Sequence, residues 1–157
     1  MIILFFSVSG VYAQHISEHS LGLRLGGSDG FGAELSYQKL LGRYNRGELN
    51  IGWRNTDKYD AFKLSGVYQW IHHLDGNFNW YYGVGGGFGS VDFNAALERE
   101  EEDGLFVFAA GQVGVEYAFD FPLLLSFDMR PEVGLIGYSG FDNGFLFDIA
   151  LGVRYIF

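Results

Sequence analysis

From Leu21 to the last residue the chain alternates, position by position, between large apolar and small or polar side chains, in eight separate stretches. A period of two belongs to a strand whose two faces meet different surroundings. Leu21, Leu23 and Leu25 alternate with Gly22 and Arg24, and Phe31, Ala33, Leu35 and Tyr37 with Glu34 and Ser36. Leu49, Ile51 and Trp53 alternate with Glu48, Asn50 and Arg54, and Phe62, Leu64, Gly66, Tyr68 and Trp70 with Lys63, Ser65 and Gln69. The fifth stretch sets Phe78, Trp80, Tyr82, Val84 and Phe88 against Gly83, Gly85, Gly87 and Gly89. The sixth sets Val113, Val115 and Tyr117 against Gln112, Gly114 and Glu116. The seventh sets Leu123, Leu125, Phe127 and Met129 against Ser126, Asp128 and Arg130, and the eighth Phe145 to Phe157 against Asp148, Ala150, Gly152 and Arg154. Turn-forming runs such as "LGRYN", "HHLDGN" and "FDFP" separate them. Most stretches are about ten residues long, the length at which a tilted strand crosses a bilayer. With 24 glycines, 2 prolines and 18% aromatic residues, the composition suits strands with tight bends and not helices.

The polar parity decides between a soluble sandwich and a membrane barrel. It carries Arg24, Arg54, Lys63, Arg130 and Arg154 against Glu34, Glu48, Glu116, Asp128, Glu132 and Asp148. That is too much charge for a dry core, yet nearly balanced, as pairing inside a narrow lumen requires. The apolar parity is banded. Aromatic residues from Tyr37, Tyr68, Trp70, Phe78, Trp80, Tyr82, Tyr117, Phe119, Tyr155 and Phe157 gather at one end of a meander. Phe31, Trp53, Tyr59, Phe88, Tyr138 and Phe145 gather at the other. Two aromatic belts around an aliphatic middle describe a transmembrane antiparallel up-and-down β-barrel of eight strands. The run "WYYGVGGGFGS" is then no phosphate loop, because no helix follows it to hold the anion. Its glycines face the lumen and leave room for long Arg and Glu side chains from other strands. Pro131 falls on the lipid parity of the seventh stretch and marks a candidate bulge.

The C-terminal "LGVRYIF" resembles the assembly signal of bacterial outer-membrane proteins, with Gly152, an aromatic at Tyr155 and a final Phe157. The whole chain resembles the small eight-stranded outer-membrane barrels of the OmpA, OmpX and OmpW kind. The stretch "VEYAFDFPLLLSFDMRPEVGLIG" is similar to a segment of outer-membrane barrel proteins of the Bacteroidetes. The resemblance implies that the barrel-assembly machinery reads the C-terminal residues.

The first residues, "MIILFFSVSGVYAQ", form a short apolar run ending in Val11-Tyr12-Ala13, which fits a secretory signal cleaved after Ala13, although no Lys or Arg precedes it. The expected domains are therefore 1–13, signal peptide, and 14–157, barrel. An even strand number places both termini in the periplasm. The long connection "SVDFNAALEREEEDG" is then extracellular, and almost all of the −9 net charge faces outward. Arg46, with Glu18, Lys39, Arg43, Asp75 and Asp120, falls at the periplasmic end. The acidic balance excludes nucleic acid as a partner. Outer-membrane lipid and lipopolysaccharide are the expected surroundings.

Glu98, Glu100, Glu101, Glu102 and Asp103 are a weak candidate for a divalent-cation site bridging to lipopolysaccharide phosphates. A solvated acidic loop is the favoured reading, since no Asp-x-Asp-x-Asp-Gly spacing is present. No cofactor is expected, and no cysteine is available. Lipid A-modifying chemistry needs a Ser–His pair near the outer leaflet. Ser139 has no histidine beside it, and His15, His19, His72 and His73 all fall at the opposite end, His72 and His73 as an interfacial turn pair. The sequence thus points to a non-catalytic barrel with a plugged lumen and a structural or binding role. A subunit of a larger outer-membrane complex is one alternative, with Ala33, Gly66, Gly86, Ala109 and Gly111 as close-approach residues. A narrow channel or small apolar-ligand transporter is another.

Overall fold

The computed structural model describes residues 16–26, 32–55, 59–93, 104–137 and 145–157. The eight alternating stretches form eight strands: β1 (His19–Gly26), β2 (Ala33–Leu40), β3 (Asn45–Asn55), β4 (Tyr59–Asp75), β5 (Phe78–Phe93), β6 (Gly104–Ala118), β7 (Leu123–Ile136) and β8 (Phe145–Ile156). Each pairs antiparallel with its neighbours in chain order, and β1 closes on β8 through Leu21–Tyr155, Leu23–Val153 and Leu25–Leu151. Closure removes the unpaired edges that an open sheet would present. The strands are less uniform than about ten residues, running from 8 in β1 and β2 to 17 in β4.

Three connections gather with the chain termini at one end of the barrel. Between β2 and β3 the turn spans residues 41–44, and between β6 and β7 residues 119–122. Between β4 and β5 only Gly76 and Asn77 lie outside the strands, and Gly76 has φ 53°. That left-handed conformation is open to glycine at little cost and twists the hairpin with the hand of its strands. His72 and His73 are therefore not turn residues. They lie inside β4, opposite Trp80 and Asn79 of β5, because the strand continues to Asp75.

Pro131 does not mark a bulge either. Pairs Ala110–Glu132 and Val113–Met129 flank it in one register, and Pro131 itself faces Phe147 of β8. The β6–β7 ladder is irregular instead between Val107 and Phe108, whose partners are Ile136 and Gly134, leaving Leu135 as the extra residue, and the β4–β5 ladder shifts between His73 and Asp75, leaving Leu74 extra.

The polarity of this barrel is inverted. Leu23, Leu25, Leu49, Val84, Val113, Phe127, Ile149 and Leu151 point out, while the buried set is dominated by charged and polar side chains. Around the end that carries the termini, aromatic rings form an outward belt. Tyr68, Trp70, Tyr82, His72 and Trp80 stack with centroids 4.6–5.8 Å apart. Phe78, Tyr117, Phe119 and Phe121 follow at 4.7–5.0 Å. Tyr37, His19, Phe157 and Tyr155 complete it. At the other end Trp53, Phe88 and Phe145 point outward. Phe31 and Tyr138 of that second group, and the side chain of Tyr59, lie outside the described residues.

Candidate functional site: the barrel interior

Every strand contributes alternate residues to the interior, and eleven charged side chains meet there, none more than 5% exposed. Toward the end opposite the termini, Arg24 of β1 is the hub. It donates from Nη2 to Asp128 Oδ1 (2.6 Å) and from Nη1 to Glu34 Oε2 (3.1 Å), and the same nitrogen pairs with Asp148. Arg130 of β7 bridges Glu34 (2.8 Å) and Glu132 (2.8 Å), and Lys63 of β4 donates to both oxygens of Glu132 at 2.7 Å. This chain of alternating charges ties β1, β2, β4, β7 and β8 together across the lumen.

Nearer the termini a second group centres on Glu48 of β3. Its carboxylate accepts from Arg154 (3.3 Å), Gln38 (2.6 Å), Asn50 (2.9 Å), Gln69 (3.0 Å) and Gln112 (3.2 Å). Arg154 also donates to Ser36 and Ser126. Arg46 donates to Glu116 (2.9 Å) and Gln69 (2.7 Å), and its guanidinium lies 5.1 Å from the Tyr81 ring centre. Buried charges lose their hydration, and attraction offsets that loss only where the remaining donors and acceptors are also satisfied. Here nearly all are. Among the described residues, Asn50 Oδ1, Tyr81 Oη and Asp148 Oδ1 lack a hydrogen-bond partner.

Two residues change places relative to the alternation. Arg54 is exposed near the end of β3 and is not buried with the others, at a level where the interior, with its ladder partner Ala61, is apolar. Arg46 is buried instead of standing at the rim. Its signal was in the sequence, since Arg46 shares parity with Glu48 and Asn50. It is obscured by the turn run "LGRYN", but β3 begins at Asn45. With that exchange, the described interior still holds five cations and six carboxylates.

A third layer is apolar. Ala61, Val91, Phe106, Phe108 and Ala110 form a buried cluster toward the end opposite the termini. Phe106 and Phe108 stand directly across from Gly89 and Gly87. A Cβ at Gly87 would meet the Phe108 ring at 2.7 Å, and one at Gly89 would overlap the Phe106 ring. At Gly114 the space belongs to the Tyr81 ring, 2.6 Å from where a Cβ would be. At Gly83, Gly85, Gly87 and Gly89 the nearest atom to a Cβ would be a carbonyl oxygen of β4, so these glycines chiefly let β4 and β5 approach closely, and at Gly87 and Gly89 an aromatic ring of β6 takes the remaining space in place of long Arg and Glu chains. An aromatic covering a cross-strand glycine is a known way to pin register. Only at Gly152 does an arginine, Arg154, take the space.

Charged groups fixed in mutual pairs beneath an apolar layer are poor acids, bases or ligands for an incoming molecule. Among the described residues no group of three His, Cys, Asp or Glu side chains is arranged to hold a metal. His19 hydrogen-bonds Tyr37 Oη (2.8 Å), His72 stacks in the belt and His73 lies 3.4 Å from Asn79 Oδ1. His15, Ser139, the acidic run Glu98–Asp103 and residues 1–13 lie outside the described residues. At the C-terminus, Tyr155 and Phe157 stack outward, and Phe157 N–H donates to the His19 carbonyl.

No family model and no curated protein matches the sequence. Solved structures do match the fold. The N-terminal β-barrel domain of Pseudomonas aeruginosa OprF superposes with TM-score 0.65 at 13% identity, over 88% of this chain and 95% of that one. Ail, the attachment invasion locus protein of Yersinia pestis, gives 0.60 at 15% identity, over 90% and 97%. Neisserial surface protein A gives 0.58 at 12%, over 88% and 94%. In strand number, closure and length, the chain has the fold of the small eight-stranded outer-membrane barrels.

Proposed function

We propose that the protein is an integral outer-membrane barrel with a closed interior and a structural or binding role, without catalytic activity. One observation carries this reading. The charged side chains are packed inside and paired, while the outward surface is aliphatic with an aromatic belt. Water would destabilise such an exterior, and lipid accommodates it. Both termini and the belt-bearing end face the periplasm in this reading. Residues 1–13 are removed on export, Gly152, Tyr155 and Phe157 are the assembly signal, and the acidic run Glu98–Asp103 meets the solvent and lipopolysaccharide headgroups outside.

Planar-bilayer recording of the refolded protein tests the closed interior. Membranes carrying it are expected to show no discrete openings, because ions must pass both the paired charges and the Phe106–Phe108 layer. A steady open conductance in the wild-type protein would replace this reading with that of a narrow channel.

A further inference from the structure

We propose that a groove on the outer surface of β2–β5 binds one anionic glycerophospholipid, its acyl chain on a floor of glycines and its phosphate on Lys39. The site deepens the outer-membrane reading and rests on it for the source of the lipid, the leaflet at the belt-bearing end. The groove has a volume of about 450 Å³. Its floor is Gly47, Gly66 and Gly85, on three successive strands, and its walls include Tyr37, Leu49, Tyr68 and Val84. Register explains the shape. Lys39, Gly47, Tyr68 and Val84 lie in one row across the sheet, and Tyr37, Leu49, Gly66 and Gly86 in the next. Small residues step diagonally from one row to the next between larger ones, which leaves a slot.

The slot is held open from both sides. Tyr37 is fixed by its hydrogen bond to His19 (2.8 Å), and Tyr68 packs edge-on against Trp70 at 5.0 Å. A Cβ on Gly66 would meet nothing within 4 Å, so the space there is unfilled by the protein. One end of the slot carries the exposed Lys39, with Arg43 in the adjoining β2–β3 turn. Glu48 also lines the slot, but its carboxylate is buried inside the barrel with Arg154, Gln38 and Gln69, and the exposed acids at this end belong to other elements: Glu18 before β1, Asp75 beside the β4–β5 turn and Asp120 in the β6–β7 turn. A cation at the mouth of an apolar slot has the polarity of an anionic amphiphile, with its phosphate at the belt and its chain below.

Native mass spectrometry of the detergent-purified barrel, after addition of phosphatidylglycerol, tests the proposal. Wild-type protein is expected to retain one lipid through mild activation. Gly66→Leu, which fills the floor without touching the barrel, should weaken retention roughly tenfold, and Lys39→Gln about fivefold. Ala33→Leu, outward on β2 but outside the groove, should leave it unchanged. Heat-dependent gel mobility verifies that each variant is folded. Equal retention by wild type and Gly66→Leu would overturn the site. So would a protein dimer that Gly66→Leu abolishes, because the groove would then belong to a second copy. A folded wild-type barrel without lipid removes the site alone. A wild-type chain that forms no heat-resistant barrel removes the outer-membrane reading, and the site with it.

Discussion

Arg154 and Arg54 share the inward parity of their strands but differ in burial, and that difference sets what each contributes. Arg154 is fully buried and donates to Glu48, Ser36 and Ser126. Replacing it with alanine leaves Glu48 buried with only amide donors, and the expected loss is about 3–5 kcal/mol. Arg54 is exposed, and Arg54→Ala should change stability by no more than about 0.5 kcal/mol. Urea titration of the two variants in vesicles separates these outcomes. If they lose equally, the interior network is not what stabilises the barrel. Lys63 offers a related contrast. Lys63→Met alone strands Glu132 beside Arg130, whereas Lys63→Met with Glu132→Leu removes both charges. The single variant should be the less stable of the two in the same titration, by roughly 1–3 kcal/mol.

Elements show their surroundings through position along the strand. Val113 and Leu151 point outward near the middles of β6 and β8. Arginine at either should cost roughly 2–4 kcal/mol in a bilayer, and arginine at Leu105, at the start of β6, about 0–1 kcal/mol. Folding equilibria in vesicles of defined thickness measure this, and a flat profile along β6 would contradict the outward assignment. Turns are equally testable. Gly76 holds φ 53° in the β4–β5 hairpin, so Gly76→Ala introduces about 1–2 kcal/mol of backbone strain with no lost contact, since a Cβ there meets nothing within 4 Å. Both the turn and the strand ends around it were misjudged from sequence at His72 and His73. Local turn residues signal that a reversal is near, but cross-strand pairing decides how far the strand continues before it.

At the scale of the whole barrel, one local rule carried most of the architecture. Alternation fixed the number of strands, their order and which residues face inward, because a strand's side-chain period is two whatever lies beyond it. The eleven buried charges were nearly all legible for the same reason, with Arg46 in place of Arg54 as the exception. Parity gives a direction and says nothing about depth, and depth depends on strand tilt and stagger once the sheet has closed. Partners were not legible. Arg24 meets Asp128 across 104 positions and Arg154 meets Glu48 across 106, contacts that exist only because β1 closes on β8. The role of the glycines was misread in the same way. Gly87 and Gly89 have no room for a side chain because the Leu64 and Phe62 carbonyls of β4 press on one side and the Phe108 and Phe106 rings of β6 on the other, and only the register of β5 with both neighbours brings those groups to each glycine. The groove beside Lys39 has the same origin, since its floor is assembled from three strands and no single stretch of sequence contains it. Which face each residue takes was thus a property of the chain, read residue by residue. Which residues meet was a property of closure, because register and stagger are set by all eight strands together.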